Sequence, residues 1–126
     1  MKIFITGGAG FIGKWVIEKL HYNTEIVVLD SLDKQAHPSQ QNFSHALKKR
    51  ARCIKSDVRD NQKYKKDLVG SDIILHLASQ TGTGQSMYEI SRYVQHNVDG
   101  TAKLLEAISL MTVSYTHLTL PTIYSV

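Results

Sequence analysis

One cysteine, Cys53, is the whole thiol content of this 126-residue chain. That excludes an internal disulfide and a thiolate metal cluster, suits a reducing compartment, and gives the expectation of a cytoplasmic protein. The six histidines show no close spacing with one another or with carboxylates, so no metal site is expected. His76, inside the apolar run IILHLA, reads as a packed core residue. Strong charge of either sign is also missing, since 15 basic against 11 acidic residues leave a formal charge of +4. The one basic cluster, Lys48, Lys49, Arg50 and Arg52, lacks interleaved aromatics and reads as a solvated face, so no nucleic-acid partner is expected. No apolar stretch approaches the ~20 residues of a membrane span. The start, MKIFITGG, is broken by glycines too early for a signal peptide, and no membrane partner is expected. The length allows one domain or part of one, enough for a real core but short for an enzyme with a separate substrate domain.

What is present is an alternation of apolar runs with helical patterns. Lys2 to Thr6 reads as a buried strand that Gly7 and Gly8 stop. A helix is expected from about Gly10, with Ile12, Val16 and Leu20 as its apolar stripe and Phe11 and Trp15 beside them. Thr24 to Asp30 reads as a strand apolar on both faces. Ser31 to about Arg50 reads as a surface loop with a short helix near its end, followed by a strand over Arg52 to Asp57. A basic helix over Lys63 to Val69 closes at Gly70, and Ser71 to Ala78 forms a fourth strand. Ser86-Met87-Tyr88-Glu89 has the form of a capping box, opening a long helix that bends at Gly100 and runs to Leu110. Such alternation requires right-handed crossovers, so the expected fold is α/β, a doubly wound parallel sheet.

TGGAGFIGKW, Thr6 to Trp15, can be counted as two phosphate cradles. Read as a P-loop it would need Ser or Thr after Lys14 to ligate magnesium, and Trp15 stands there. Read as a dinucleotide turn, Gly7 permits the tight turn out of the strand, Gly10 lets backbone approach a pyrophosphate, and Gly13 lets the helix pack close to the sheet. The anion then lies on free N–H groups at the helix N-terminus. Asp30 ends the second strand 17 residues after Gly13, where a carboxylate accepts from ribose hydroxyls and repels a 2′-phosphate. NAD is therefore the expected cofactor over NADP. The ends of the third and fourth strands, at Asp57-Val58 and Leu77-Ala78-Ser79, are expected on the same carboxyl edge.

TGGAGFIG, VVLD, SDVRD, HLAS and NVDGTAKLLEA, in that order, resemble the NAD-dependent epimerase/dehydratase branch of the extended short-chain dehydrogenase/reductases. The resemblance covers residues 1 to about 110 and implies an incomplete NAD-binding Rossmann fold. It places Gly7, Gly10, Phe11, Ile12 and Gly13 on the pyrophosphate, Asp30 and Ser31 at the ribose, and Asp57 and Val58 at the adenine. Leu77, Ala78, Ser79 and Thr81 would line the nicotinamide side, and Asn97 would approach the cofactor from the long helix. Within the branch, LDSLDKQAH and ASQTGTGQSMYEISRYVQHNVDGT look most like nucleoside-diphosphate-sugar 4-epimerases. That implies a nucleoside-diphosphate sugar as substrate, bordered by Thr83, Gln85 and Ser86, and admits a homodimer. Ser86 reads equally well as a helix cap alone.

The implied chemistry is hydride transfer from sugar C4 to NAD, rotation of the 4-keto intermediate and hydride return, with the tyrosine of Tyr-x-x-x-Lys as base. None of the six tyrosines is followed four residues later by lysine, so no catalytic residue is assigned. The last fourteen residues, VSYTHLTLPTIYSV, contain no charged side chain, whereas the chain is 21% charged. SYTHLTL alternates as a fifth strand does. VSYTHLTLPT is also similar to the translation of a transposon-end adapter used in sequencing libraries. On the second reading residues 113–126 are a non-native tail, residues 1–112 are the N-terminal part of an NAD(P)-binding domain, and the substrate lobe is absent. A nucleoside-diphosphate-sugar 4,6-dehydratase and a non-catalytic dinucleotide-binding module stand as the alternative functions.

Overall fold

Strand β1 (Lys2–Thr6) is the middle of a five-stranded parallel sheet. The computed structural model describes residues 1–111 and the strand His117–Thr119. The helix α1 (Phe11–Lys19) returns the chain to β2 (Glu25–Asp30), and α2 (His45–Arg50) to β3 (Arg52–Lys55). A single 3₁₀ turn, Asn61–Lys63, and α3 (Lys65–Leu68) lead to β4 (Ile73–His76). After it come α4 (Thr83–Ser86), α5 (Ile90–Tyr93), a π-helical turn Val94–Asp99, α6 (Gly100–Ser109) and β5 (His117–Thr119). The spatial order is β3-β2-β1-β4-β5, with Ile5 opposite both Val28 and Leu75. Most of the segment expected to be non-native lies outside the described residues.

The period-two alternation of a strand divides the core into two layers. Ile3, Ile5, Ile26 and Val28 point to one face and meet Ile17 of α1 and Leu47 of α2. Phe4, Val27, Leu29 and Ile74 point to the other and meet Leu68 of α3 and Leu104 and Ala107 of α6. Helices cover both faces, which is the doubly wound arrangement. Tyr64 lies wholly in the second layer, its hydroxyl donating to Val58 O at 2.6 Å, so its one polar group is satisfied. Edge strand β3 presents the charges of Arg52 and Lys55 outward, which discourages a further strand from pairing there. The basic cluster divides: Lys48 and Lys49 are exposed, Arg50 donates to Thr24 O and His21 O, and Arg52 pairs with Asp67 at 2.9 Å. No helix among the described residues is long and apolar enough to cross a membrane.

Four local expectations need correcting. The buried stripe of α1 is Gly13 and Ile17, with Val16 and Leu20 beside them, while Phe11, Ile12 and Trp15 are exposed by 80, 58 and 52%. Close approach at Gly13 sets the helix rotation, and the larger side chains are turned outward. The capping box does not form, because Ser86 ends the separate helix α4 and its Oγ donates to Thr83 O. Helix α5 begins after Glu89 without a side-chain cap. Gly100 has ordinary helical angles of −58° and −44°, and the irregularity is the π-helical turn before it. Strands β3 and β4 end at Lys55 and His76, sooner than expected, with one further bond each to the neighbouring strand, Ser56 N–H to Asp30 O at 3.2 Å and Leu77 N–H to Thr6 O at 3.0 Å.

Candidate functional site

The carboxyl ends of β1, β2, β3 and β4 open on one cleft of about 530 Å³. Its first wall is the glycine turn. Gly7 adopts φ +71°, which a glycine tolerates, and a Cβ there would lie 2.8 Å from Ala78 N. A Cβ at Gly13 would lie 2.5 Å from Gly8 Cα, so helix and turn touch backbone to backbone. The turn is tied to the sheet by Gly7 N–H, which donates to Leu29 O at 2.7 Å. Phe11 and Ile12 face the same cleft, as does the N-terminus of α1, whose first turn carries no acidic side chain.

Asp30 ends β2 at the centre of the cleft and is 9% exposed. Its Oδ2 accepts from Ala9 N at 3.0 Å and its Oδ1 from Leu32 N at 2.9 Å. One carboxylate thus holds the glycine turn and the loop after β2, and each oxygen keeps capacity for a further donor. His37 Nε2 stands 3.8 Å from Oδ1. Leu32 is buried with φ +54°, a conformation that costs a non-glycine residue about 1 kcal/mol. The step reverses the chain and sends Asp33, Gln35 and His37 along the cleft.

Ser31, Asp57, Val58, Leu77, Ala78, Ser79 and Thr81 line the same cleft. Asp57 is held by Arg59, whose Nε and NH2 donate to its two oxygens at 3.0 and 2.7 Å. Partial burial pushes its carboxyl up, but the hydrogen bonds and charge of Arg59 outweigh that and hold it below the usual carboxylate range. Asn97 does not line the cleft. Its Oδ1 accepts from Gln80 N at 2.7 Å and its Nδ2 donates to Gln80 O at 3.1 Å, so its two ends hold the backbone N–H and C=O of one residue. Thr83, Gln85 and Ser86 lie outside the lining too, although Gln85 Oε1 accepts from Gln35 Nε2 at the rim.

Residues not expected from the sequence complete the walls. Asp33 accepts from Gln35 N at 2.9 Å and Gln80 Nε2 at 3.3 Å, and pairs with Arg92 at 3.3 Å. The Gln35 N–H holds its carboxyl below the ordinary range, opposed by burial and reinforced by the Arg92 charge. Gln80 lies within the Leu77 to Thr81 stretch expected at the nicotinamide side, whereas His96 only flanks an expected residue in sequence. Asp33 had no signal beyond its place three residues after Asp30. Among the described residues no group of His, Cys, Asp or Glu could hold a metal ion.

A glycine turn, an acidic strand end and a cleft along the carboxyl edge define a Rossmann-type doubly wound α/β protein. The chain belongs to the NAD dependent epimerase/dehydratase family, which matches residues 3–124. It is 40% identical over 124 residues to the dTDP-L-rhamnose 4-epimerase of Burkholderia thailandensis, covering 94% of this chain and 33% of that protein. Among solved structures it is similar to the UDP-N-acetylglucosamine 4-epimerase from Methanobrevibacter ruminantium M1 in complex with UDP-N-acetylmuramic acid. There the identity is 30% and the TM-score 0.69, over 84% of this chain and 33% of that one. A double mutant of DesIV, the dTDP-glucose 4,6-dehydratase from Streptomyces venezuelae with NAD and DAU bound, is 28% identical with TM-score 0.68, over 85 and 35%. The chain therefore spans about a third of the length of the relatives it matches.

Proposed function

We propose that this chain forms the NAD-holding part of a nucleoside-diphosphate-sugar 4-epimerase. The observation that carries the reading is the meeting of the α1 N-terminus, the glycine turn and Asp30 on one cleft. The cleft fits the group: backbone N–H groups at the start of α1 face a pyrophosphate, and no carboxylate in that turn opposes it. Asp30, with spare acceptor capacity on both oxygens, takes the ribose hydroxyls and disfavours a 2′-phosphate. Ser31 borders the ribose, Asp57 and Val58 the adenine, and Leu77 to Thr81 the nicotinamide side, with Asn97 acting through Gln80. Thr83, Gln85 and Ser86 border the sugar.

When bound, NAD supplies a reversible hydride acceptor for the sugar C4 position. The proton of the C4 hydroxyl needs a base, and no tyrosine of this chain stands four residues before a lysine. Residues 1–126 alone are accordingly expected to give no epimerase turnover, and any turnover above a heat-treated control would count against the reading. A 4,6-dehydratase shares the same first oxidation, and the likeness to DesIV favours it as the second reading. Product analysis separates the two, since one gives the C4 epimer and the other a 4-keto-6-deoxy sugar.

Binding is tested by NADH fluorescence titration of wild type and Asp30→Ala. Removing a charged acceptor from two hydroxyls weakens affinity by about tenfold or more. Because Asp30 also anchors Ala9 and Leu32, thermal melts run alongside separate a collapsed turn from a lost ligand contact. Equal affinity in the two proteins would remove the ribose assignment.

A further inference from the structure

His76 is 2% exposed, lies at the end of β4 and has no part in the cleft lining. Its hydrogen bonds admit one arrangement. Thr6 Oγ1 accepts from Ala78 N at 3.1 Å and shares the Leu77 N–H with its own backbone O, at 3.1 and 3.0 Å, so both of these neighbours are donors to it. The Thr6 O–H must then donate to its remaining neighbour, His76 Nδ1, at 2.5 Å. With Nδ1 accepting, a neutral ring carries its proton on Nε2, which faces Thr101 Oγ1 at 3.0 Å. Thr101 in turn donates to Asn97 O at 2.6 Å. The chain of donors thus ends on the residue whose side chain clamps the Gln80 backbone, in a π-helical turn, a rare conformation that recurs at functional sites.

We propose that His76, locked as its neutral Nε2–H tautomer, is a positioning residue for the cleft: through Thr101 it fixes Asn97, and Asn97 fixes the Gln80 backbone against the cofactor. The cofactor clause rests on the NAD reading above; the tautomer and the clamp do not. Burial alone requires both ring nitrogens to be satisfied; what a packing role would not require is that their partners run on to the residue that holds Gln80. Here every polar atom from Thr6 to Gln80 has its partner, and reversing any one donor leaves a buried group unpaired. The ring is also kept neutral, since burial holds its pKa at about 4.

The test uses the whole chain, ¹⁵N-labelled, with Thr101→Val and Thr101→Ser as variants. In wild type the His76 ring nitrogens are expected to show a protonated Nε2 and a bare Nδ1 at neutral pH. Thr101→Val is expected to speed hydrogen exchange at the Gln80 amide and to weaken NADH binding on the order of tenfold. Thr101→Ser, which restores the hydroxyl, is expected to recover both. A protonated Nδ1 in wild type would overturn the proposal, as would a Gln80 amide unmoved by Thr101→Val or left fast by Thr101→Ser. If Thr101→Val does not fold, the wild-type tautomer and the Thr101→Ser amide still decide. Failure of wild type to bind NADH would instead strike the proposed function, because the tautomer and the amide are read without ligand.

Discussion

Alanine at position 13 is expected to destabilise the fold by about 2 kcal/mol or more and to remove dinucleotide binding with it, although alanine ordinarily strengthens a helix. Gly13 lies inside α1, where a glycine-to-alanine change gains about 1 kcal/mol from helix propensity. Against that, the new Cβ would meet Gly8 Cα, O and C at 2.5, 2.6 and 2.7 Å. All three are backbone atoms, so no rotamer change relieves the overlap. Gly8 has no room to retreat, because its own missing Cβ would lie 2.7 Å from Val28 Cγ1, and Val28 is fully buried in β2. The strain passes into the sheet, and the turn that would face the pyrophosphate moves with it. Gly84→Ala is the matched control: nothing stands within 4 Å of its would-be Cβ, so its stability is expected within about 1 kcal/mol of wild type. Chemical denaturation of both variants with wild type checks the difference. A Gly13→Ala protein as stable as Gly84→Ala would mean that α1 does not touch the turn as closely as the structure has it.

That same contact explains what could and could not be read from the residues in order. Strand β1, strand β2 and the turn between β1 and α1 were legible because each is a local pattern: an apolar run, a glycine stop, an acid at a strand end. The buried face of α1 was not. A stripe of large apolar residues is the usual guide to a helix's inner face, but here a glycine must point inward, and Phe11, Ile12 and Trp15 are left to the cleft side and solvent. The Ser86 cap failed for a related reason, since its Oγ turns back to Thr83 within a helix of its own and is spent there. Asp33 was invisible because its partners Gln80 and Arg92 are 47 and 59 residues away. Asn97 was marked by its neighbours in sequence, yet what it grips is the backbone N–H and C=O of Gln80, for which no side-chain pattern exists.

Acidification from pH 7 to pH 4 is expected to cost about 3 kcal/mol of stability through His76 alone. Its folded pKa is lowered from 6.5 to about 4 by burial, and the groups within hydrogen-bond reach of its ring are the neutral hydroxyls of Thr6 and Thr101. The unfolded chain therefore takes up a proton near pH 6.5 that the folded chain refuses until about pH 4. Between these values the unfolded state binds more protons, so stability rises with pH. It is fully present above pH 6.5 and is lost as pH falls through about 4. Asp33 and Asp57 have the same sign but a different window. Their folded pKa values lie below the ordinary 3.8, so their contribution is present above that value and is lost only beneath it. The slope between pH 6.5 and 4 can thus be assigned by mutation. Urea titrations across this range should show stability falling with pH in wild type and a much flatter profile in His76→Gln, which keeps a donor and an acceptor but does not titrate. Should the variant show the wild-type slope, the proton refused on folding belongs to a different histidine. His76 would then not be the neutral, fully bonded ring on which the Thr6 to Gln80 chain depends.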